Sequence, residues 1–179
     1  MTGAEKEYGT ALYELCAEEN CDREVLEQLD MVRDLFREES KYPRILQDPA
    51  LPKRERLGML DEAFRDSVHP YLLNFLKILC EKSALGILPG CGAQFRDLYN
   101  EAHGLLPVTA TSAVALTEEQ KQGLIEKLSR LTGKTILLDN RVDESLMGGV
   151  KVKFDGKELD GSVAGRLEAL RRILIDGKA

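Results

Sequence analysis

Tryptophan is absent from this 179-residue chain, and Phe and Tyr contribute five residues each. So few aromatic rings leave little on which nucleobases could stack. Basic residues are also outnumbered, with 25 Lys+Arg against 31 Asp+Glu, a net charge of −6 and a pI near 5.1. Phosphate binding depends on a basic footprint, so nucleic acid is excluded as a partner. No apolar run approaches the ~20 residues needed to cross a bilayer, which argues against direct membrane insertion. Glu5 and Glu7 stand where a secretory or Arg-rich leader would be apolar or basic. Cys16, Cys21, Cys80 and Cys91 show no Cys-x-x-Cys spacing, so they read as reduced structural thiols of a cytosolic protein rather than metal ligands or disulfides.

Catalytic constellations are missing as well. His69 and His103 have no spaced carboxylate or cysteine partner, so they read as surface or capping residues. Thr132-Gly133-Lys134-Thr135 looks like the end of a phosphate-binding loop, but Leu128 occupies the required first glycine position. The segment also runs from helix to strand, the reverse of that motif, and a helix C-cap explains Gly133. Ser162 lacks the flanking glycines of a nucleophile elbow, since Asp160 and Ala164 hold those positions. With no acid, base and nucleophile to assemble, the chain reads as an interaction protein without cofactor or metal.

What is present is a strong helical pattern. Between Pro70 and Cys80, Leu72, Leu73, Phe75, Leu76, Ile78, Leu79 and Cys80 cover well over half of a helix circumference, leaving Asn74, Lys77 and Glu81 one polar stripe. Such a helix must be wrapped by others, because its flank would otherwise stay in water at ~25 cal/mol per Å². Around it the spacing predicts helices over Glu5–Glu19 (Tyr8, Leu12, Leu15), from Asp22 to about Ser40 (Val25, Leu29, Val32, Phe36), and ending near Asp66 (Leu57, Leu60, Phe64). A short helical piece is expected near Ile45 and Leu46. After a connector over Leu85–Gly92, a last helix bearing Phe95, Leu98, Tyr99 and Ala102 closes at Gly104.

After Pro107 the period changes to two. Val108 to Leu116 alternates as a strand, and Thr117 with Gln120 forms a capping box for a helix with Leu124, Leu128 and Leu131 on its face. Ile136–Leu138 reads as a strand. Val150 to Phe154 and Lys157 to Asp160 read as a hairpin turned at Asp155-Gly156. A C-terminal helix follows, striped by Val163, Leu167, Leu170 and Leu174. The reading is α+β: an N-terminal six-helix bundle over 1–104 and a smaller C-terminal α/β domain with a β-hairpin and helices over 105–179. Charge divides with it, 13 Lys+Arg against 20 Asp+Glu up to Gly104 and 12 against 11 after it, which suggests two different partners.

Ordered pieces along nearly the whole chain resemble the delta subunit of the rotary F-type ATP synthase, called oligomycin-sensitivity-conferring protein in mitochondria. They are Tyr8 with Ala11-Leu12, Asn74-Phe75-Leu76 with Leu79, Leu88-Pro89 with Phe95, Ser112-Ala113 with Leu116-Thr117, Thr132-Gly133-Lys134, Val142-Asp143, Leu146 with Gly148-Gly149-Val150, and Asp160-Gly161-Ser162 with Gly165-Arg166-Leu167. The arginine usual before the Leu-Leu-Pro connector is replaced by Ala84, and the connector itself reads Ile87-Leu88-Pro89. The resemblance implies a non-catalytic stator that couples rotation to ATP synthesis. Its helical domain would hold the N-terminal helix of an alpha subunit, and its C-terminal domain the peripheral-stalk b subunits. Tyr8, Ala11, Leu12 and Ile78 match the positions that receive the alpha helix, although the residue pattern alone fits Ile78 equally to the core. Gly148, Gly149, Asp160, Gly161 and Ser162 match as a structural motif. The acidic balance implies the cytoplasmic face of a bacterial plasma membrane, with a plastid thylakoid as the second reading; the alternative function is an unrelated cytosolic helical adaptor.

Overall fold

A computed structural model describes residues 2–146 and 148–161, and the expected C-terminal helix lies outside them, as does Ser162. The chain is α+β, with seven α-helices and a four-stranded mixed sheet among the described residues. It divides into two compact units, Met1–Tyr99 and Asn100–Ala179.

The first unit is built from α1 (Gly3–Glu18), α2 (Asp22–Glu38), α3 (Lys41–Ile45), α4 (Lys53–Phe64), α5 (Pro70–Glu81), a single 3-10 turn at Leu85–Ile87, and α6 (Leu88–Ala102), which crosses the division between the units. Each helix turns toward the core the face its spacing specifies. Leu12 and Cys16 of α1, Val25, Leu29 and Val32 of α2, Leu60 and Phe64 of α4, and Phe95 of α6 are buried around Leu72, Leu73, Phe75, Leu76, Leu79 and Cys80 of α5. Ile78 and Leu15 depart from this pattern: they are 46% and 40% exposed, so neither is core. The expected connector over Leu85–Gly92 is also shorter than its Pro and Gly content implies. α6 already begins at Leu88, because Pro89 sits in a first turn whose N–H groups have no intrahelical acceptor anyway.

One contact holding this unit together left no periodic signal. A Cβ on Gly9 would stand 2.7 Å from the backbone carbonyl of Cys91 and 2.8 Å from Cβ of Gln94, so α1 and α6 touch nearly backbone to backbone. Only glycine permits that approach.

In the second unit the strands are β1 (Leu105–Ser112), β2 (Thr135–Val142), β3 (Val150–Phe154) and β4 (Lys157–Asp160), ordered β2-β1-β3-β4, with α7 (Glu118–Thr132) between the first two. β1 pairs parallel to β2 from Leu105 opposite Thr135 through Ser112 opposite Val142, and antiparallel to β3 from Thr109 opposite Lys153 to Ser112 opposite Val150. Pro107 falls before the β3 pairing begins, so its missing N–H breaks no bond on that side. Leu106, Val108, Ile136 and Val152 form one face, packed on Leu128 of α7 with Leu124 and Ile125 beside it. Leu131, expected on that face, is 74% exposed, and Ile125 takes its place.

β1 begins at Leu105, three residues before the expected Val108, and two further strand limits differ from expectation for a traceable reason. β1 ends at Ser112 rather than continuing to Leu116, since the Ser112 hydroxyl donates to the carbonyl of Val114 at 2.7 Å and turns the chain. Asn140 then secures the turn: its Oδ1 accepts from the Leu116 N–H at 2.9 Å, and its Nδ2 donates to the Ala110 carbonyl at 3.0 Å. β2 starts one residue before the Ile136–Leu138 core and runs four beyond it because β1 offers a ladder along its whole length, which overrides the weak strand preference of Asp139 and Asn140. The caps agree with the sequence. Thr117 Oγ1 accepts from Gln120 N–H while Gln120 Oε1 accepts from Thr117 N–H, and Gly133 closes α7 at φ 69°.

Candidate interaction site

Three constraints fix the faces of α1 and α5. Thr2 and Glu5 form a reciprocal capping box that starts α1, and the Gly9 approach seats it on α6. α5 starts at Pro70, with His69 Nδ1 accepting the Tyr71 N–H at 3.3 Å and the His69 N–H donating to Gln28 Oε1 at 2.6 Å. The histidine therefore caps a helix. Between the two helices the Tyr8 ring meets the Phe75 ring edge-on, with centroids 6.4 Å apart.

The result is a groove of about 420 Å³ bounded by Tyr8, Ala11, Leu12 and Leu15 on α1 and by Tyr71, Asn74, Phe75 and Ile78 on α5. Leu12 and Phe75 are its buried floor; Ala11, Leu15 and Ile78 are its exposed walls. All four residues expected at this site, Tyr8, Ala11, Leu12 and Ile78, line it together. Leu15, Tyr71, Asn74 and Phe75 were not expected there. The spacing puts Leu15 on the core face of α1, yet it is exposed, whereas Phe75 is core as its spacing predicts and also floors the groove.

The groove is apolar and carries no carboxylate or ammonium among its lining residues. Its chemistry is that of a helix receptor: an amphipathic helix laid between α1 and α5 would bury Ile78, Leu15 and its own apolar face together. Nothing in it is built to transfer a proton or an acyl group. The three buried thiols of the same unit are also poor nucleophiles. Burial pushes Cys16 up to about 12 and Cys91 up to about 11, and raises Cys80 as well. Among the described residues no cluster of His, Cys, Asp and Glu is arranged to hold a metal ion. No described helix is long and apolar enough to cross a membrane.

In the second unit the expected glycine motif converges from two distant stretches. Gly148 and Gly149 adopt φ of 118° and 83°, which only glycine enters readily, just before β3. Asp160 lies opposite Lys151 in the ladder, with its Oδ2 3.6 Å from the ammonium, and the Gly161 N–H donates to the Val150 carbonyl at 3.0 Å. A Cβ on Gly161 would stand 3.0 Å from that oxygen. These residues shape the open end of the hairpin. At its closed end Asp155 and Gly156 take φ of 46° and 69°, the two positive values of a tight turn.

A helical unit with an uncharged apolar groove, followed in the chain by a small mixed sheet and with no metal-binding cluster among the described residues, has the features of an interaction protein. Residues 4–174 match the family described as ATP synthase delta (OSCP) subunit, and the chain belongs to that family. It is 36% identical over 171 residues to ATP synthase subunit delta of Geobacillus sp. (strain WCH70), covering 95% of this chain and 96% of the relative. To that of Moorella thermoacetica it is 36% identical over 165 residues, covering 92% of each. A chain in the Toxoplasma gondii mitochondrial ATP synthase hexamer superposes with a TM-score of 0.74 at 21% identity, covering 97% of this chain and 98% of that one, a likeness of fold. The protein is thus a non-catalytic peripheral-stalk subunit of an F-type ATP synthase, and the unrelated-adaptor alternative falls away.

Proposed function

We propose that the α1/α5 groove receives the N-terminal helix of an alpha subunit, and that the C-terminal part, 105–179, engages the b subunits of the peripheral stalk. The observation that carries the first half is the juxtaposition of Tyr8, Ala11, Leu12 and Ile78 in one uncharged groove, with Ile78 exposed instead of packed inside. Ile78 is exposed beside Leu15 and Ala11 across the groove, and a contiguous apolar surface of this kind is what a docked helix would cover. On this reading residues 1–104 act as a six-helix bundle clasping the catalytic head. The two parts together restrain the head against the torque of the rotor, on the cytoplasmic face of a bacterial plasma membrane. The Gly148-Gly149 and Asp160-Gly161 positions serve this indirectly, by shaping the hairpin.

The experiment is titration calorimetry of the full chain with a peptide from the alpha N-terminus, comparing wild type with Ile78→Asp. Because Ile78 is exposed, the variant should keep its helical circular-dichroism spectrum. Because a carboxylate would then be desolvated against an apolar partner, affinity should fall by about 2 kcal/mol or more. Unchanged affinity in the folded variant would remove Ile78 from the site.

A further inference from the structure

The helical unit holds a second concavity, between α2, α3 and the start of α6, and its chemistry differs from that of the α1/α5 groove. It encloses about 410 Å³ over an apolar floor that includes Phe36, Leu85 and Leu88, and its ionisable lining residues are three arginines, Arg33, Arg37 and Arg44. This happens in a half of the chain where acidic residues outnumber basic ones by seven.

The local charge is only partly neutralised. Arg33 is engaged by Asp30 at 2.8 Å and Asp34 at 3.1 Å, and Arg37 reaches the same Asp34 at 3.5 Å. Asp30 is shared in turn with Arg96. Arg44 is exposed and makes no ion pair among the described residues. Three guanidinium groups therefore share two carboxylates while Arg44 has none, and the surplus positive charge sits at the rim beside Arg37 and Arg44. A volume of this size falls within the ~300–1,000 Å³ of small-molecule sites, which pair an apolar lining with a few orienting polar groups.

We propose that this concavity binds a small amphiphilic anion, with an alkyl or aryl body on the Phe36, Leu85 and Leu88 floor and a carboxylate or phosphate head at Arg37 and Arg44. Guanidinium groups present paired N–H donors matched to both heads. The site is separate from the α1/α5 groove and does not depend on what that groove binds.

Octyl phosphate, octanoate and octyltrimethylammonium, all below their micellar concentrations, distinguish the outcomes by amide chemical-shift mapping of the full chain. Either anion, or both, should shift the amides of Arg37 to Tyr42, of Arg44 to Gln47 and of Gly86 and Leu88 in a saturable way; which one binds tighter identifies the head. The cation should leave those amides unmoved. Arg44→Glu should weaken anion binding roughly tenfold or more, the scale of one charge-assisted hydrogen bond. Since Arg44 has no ion pair to lose, its fold should persist; Arg37→Gln provides a second, milder variant with loss in the same direction. Equal response to cation and anions, or unchanged affinity in both arginine variants, would overturn the proposal.

Discussion

The ammonium of Lys77 on α5 lies 2.6 Å from the carboxylate of Asp61 on α4, and Arg65 approaches the same carboxylate at 3.5 Å. The polar stripe of the central helix is thus an attachment as well as a solvated edge. The hydrogen bond from Lys77, reinforced by its charge and by Arg65, holds the Asp61 carboxyl below the usual carboxylate range. A depressed carboxyl stabilises the fold above its unfolded pKa, and the contribution is lost as pH falls through the folded value. Carbon-detected titration should give Asp61 a midpoint below that of an ordinary Asp, and Lys77→Met should move it upward. An unchanged midpoint in that variant would exclude the pair as the cause.

At the alkaline end the buried thiols act in the opposite direction. Cys16 and Cys91 keep their protons in the folded chain to about 12 and about 11, whereas unfolded thiols ionise near pH ~8.5. Ionisation then favours the unfolded chain, so stability is full below that value and declines as pH rises toward the folded ones, by about 1.4 kcal/mol per pH unit for each thiol. Urea denaturation at pH 8 and at pH 10 should show the decline, and Cys16→Ala together with Cys91→Ala should lessen it, leaving the share that Cys80 contributes.

Gly9 and Gly58 make a matched pair of helical glycines with opposite expectations. Replacing Gly by Ala inside a helix favours folding by about 1 kcal/mol where there is room. Gly58 has nothing within 4 Å of its added Cβ, so Gly58→Ala should raise the melting temperature or leave it unchanged. Gly9→Ala would drive its Cβ into the Cys91 carbonyl, and should destabilise by about 1–3 kcal/mol. Calorimetric melting of the two variants side by side tests the α1/α6 contact.

The Asp155-Gly156 turn offers a local test in the second unit. With Gly156 at φ 69°, Gly156→Val should cost about 1–2 kcal/mol and lower amide protection in β3 and β4 before it alters α7. Uniform loss of protection would show that the hairpin and helix melt as one.

Much of this was legible in the residues. Periodicity located the long helices, Thr117 and Gln120 marked the start of α7, and Asp155-Gly156 marked the hairpin, because each is a local rule obeyed by neighbours in the chain. What escaped was decided between elements. Ile78 follows the apolar pattern of its helix, yet its exposure depends on where α1 stops covering α5. Asn74 is exposed, as a solvated stripe requires, and its place at the groove edge depends on α1 lying beside it. The end of β1 depends on Asn140, a residue 28 positions from Ser112, whose hydroxyl it approaches at 3.1 Å. A helical glycine such as Gly9 carries no mark of a backbone that must pass beside it.

The absence of ionised side chains from the α1/α5 groove has a thermodynamic corollary. A helix held there exchanges no condensed counterions on docking, so its affinity should change little with ionic strength, and its signature should be a negative heat-capacity change from buried apolar area. If the groove holds its helix as proposed, that hold should not loosen when the salt content of its surroundings shifts, and should weaken on cooling, as apolar contacts do.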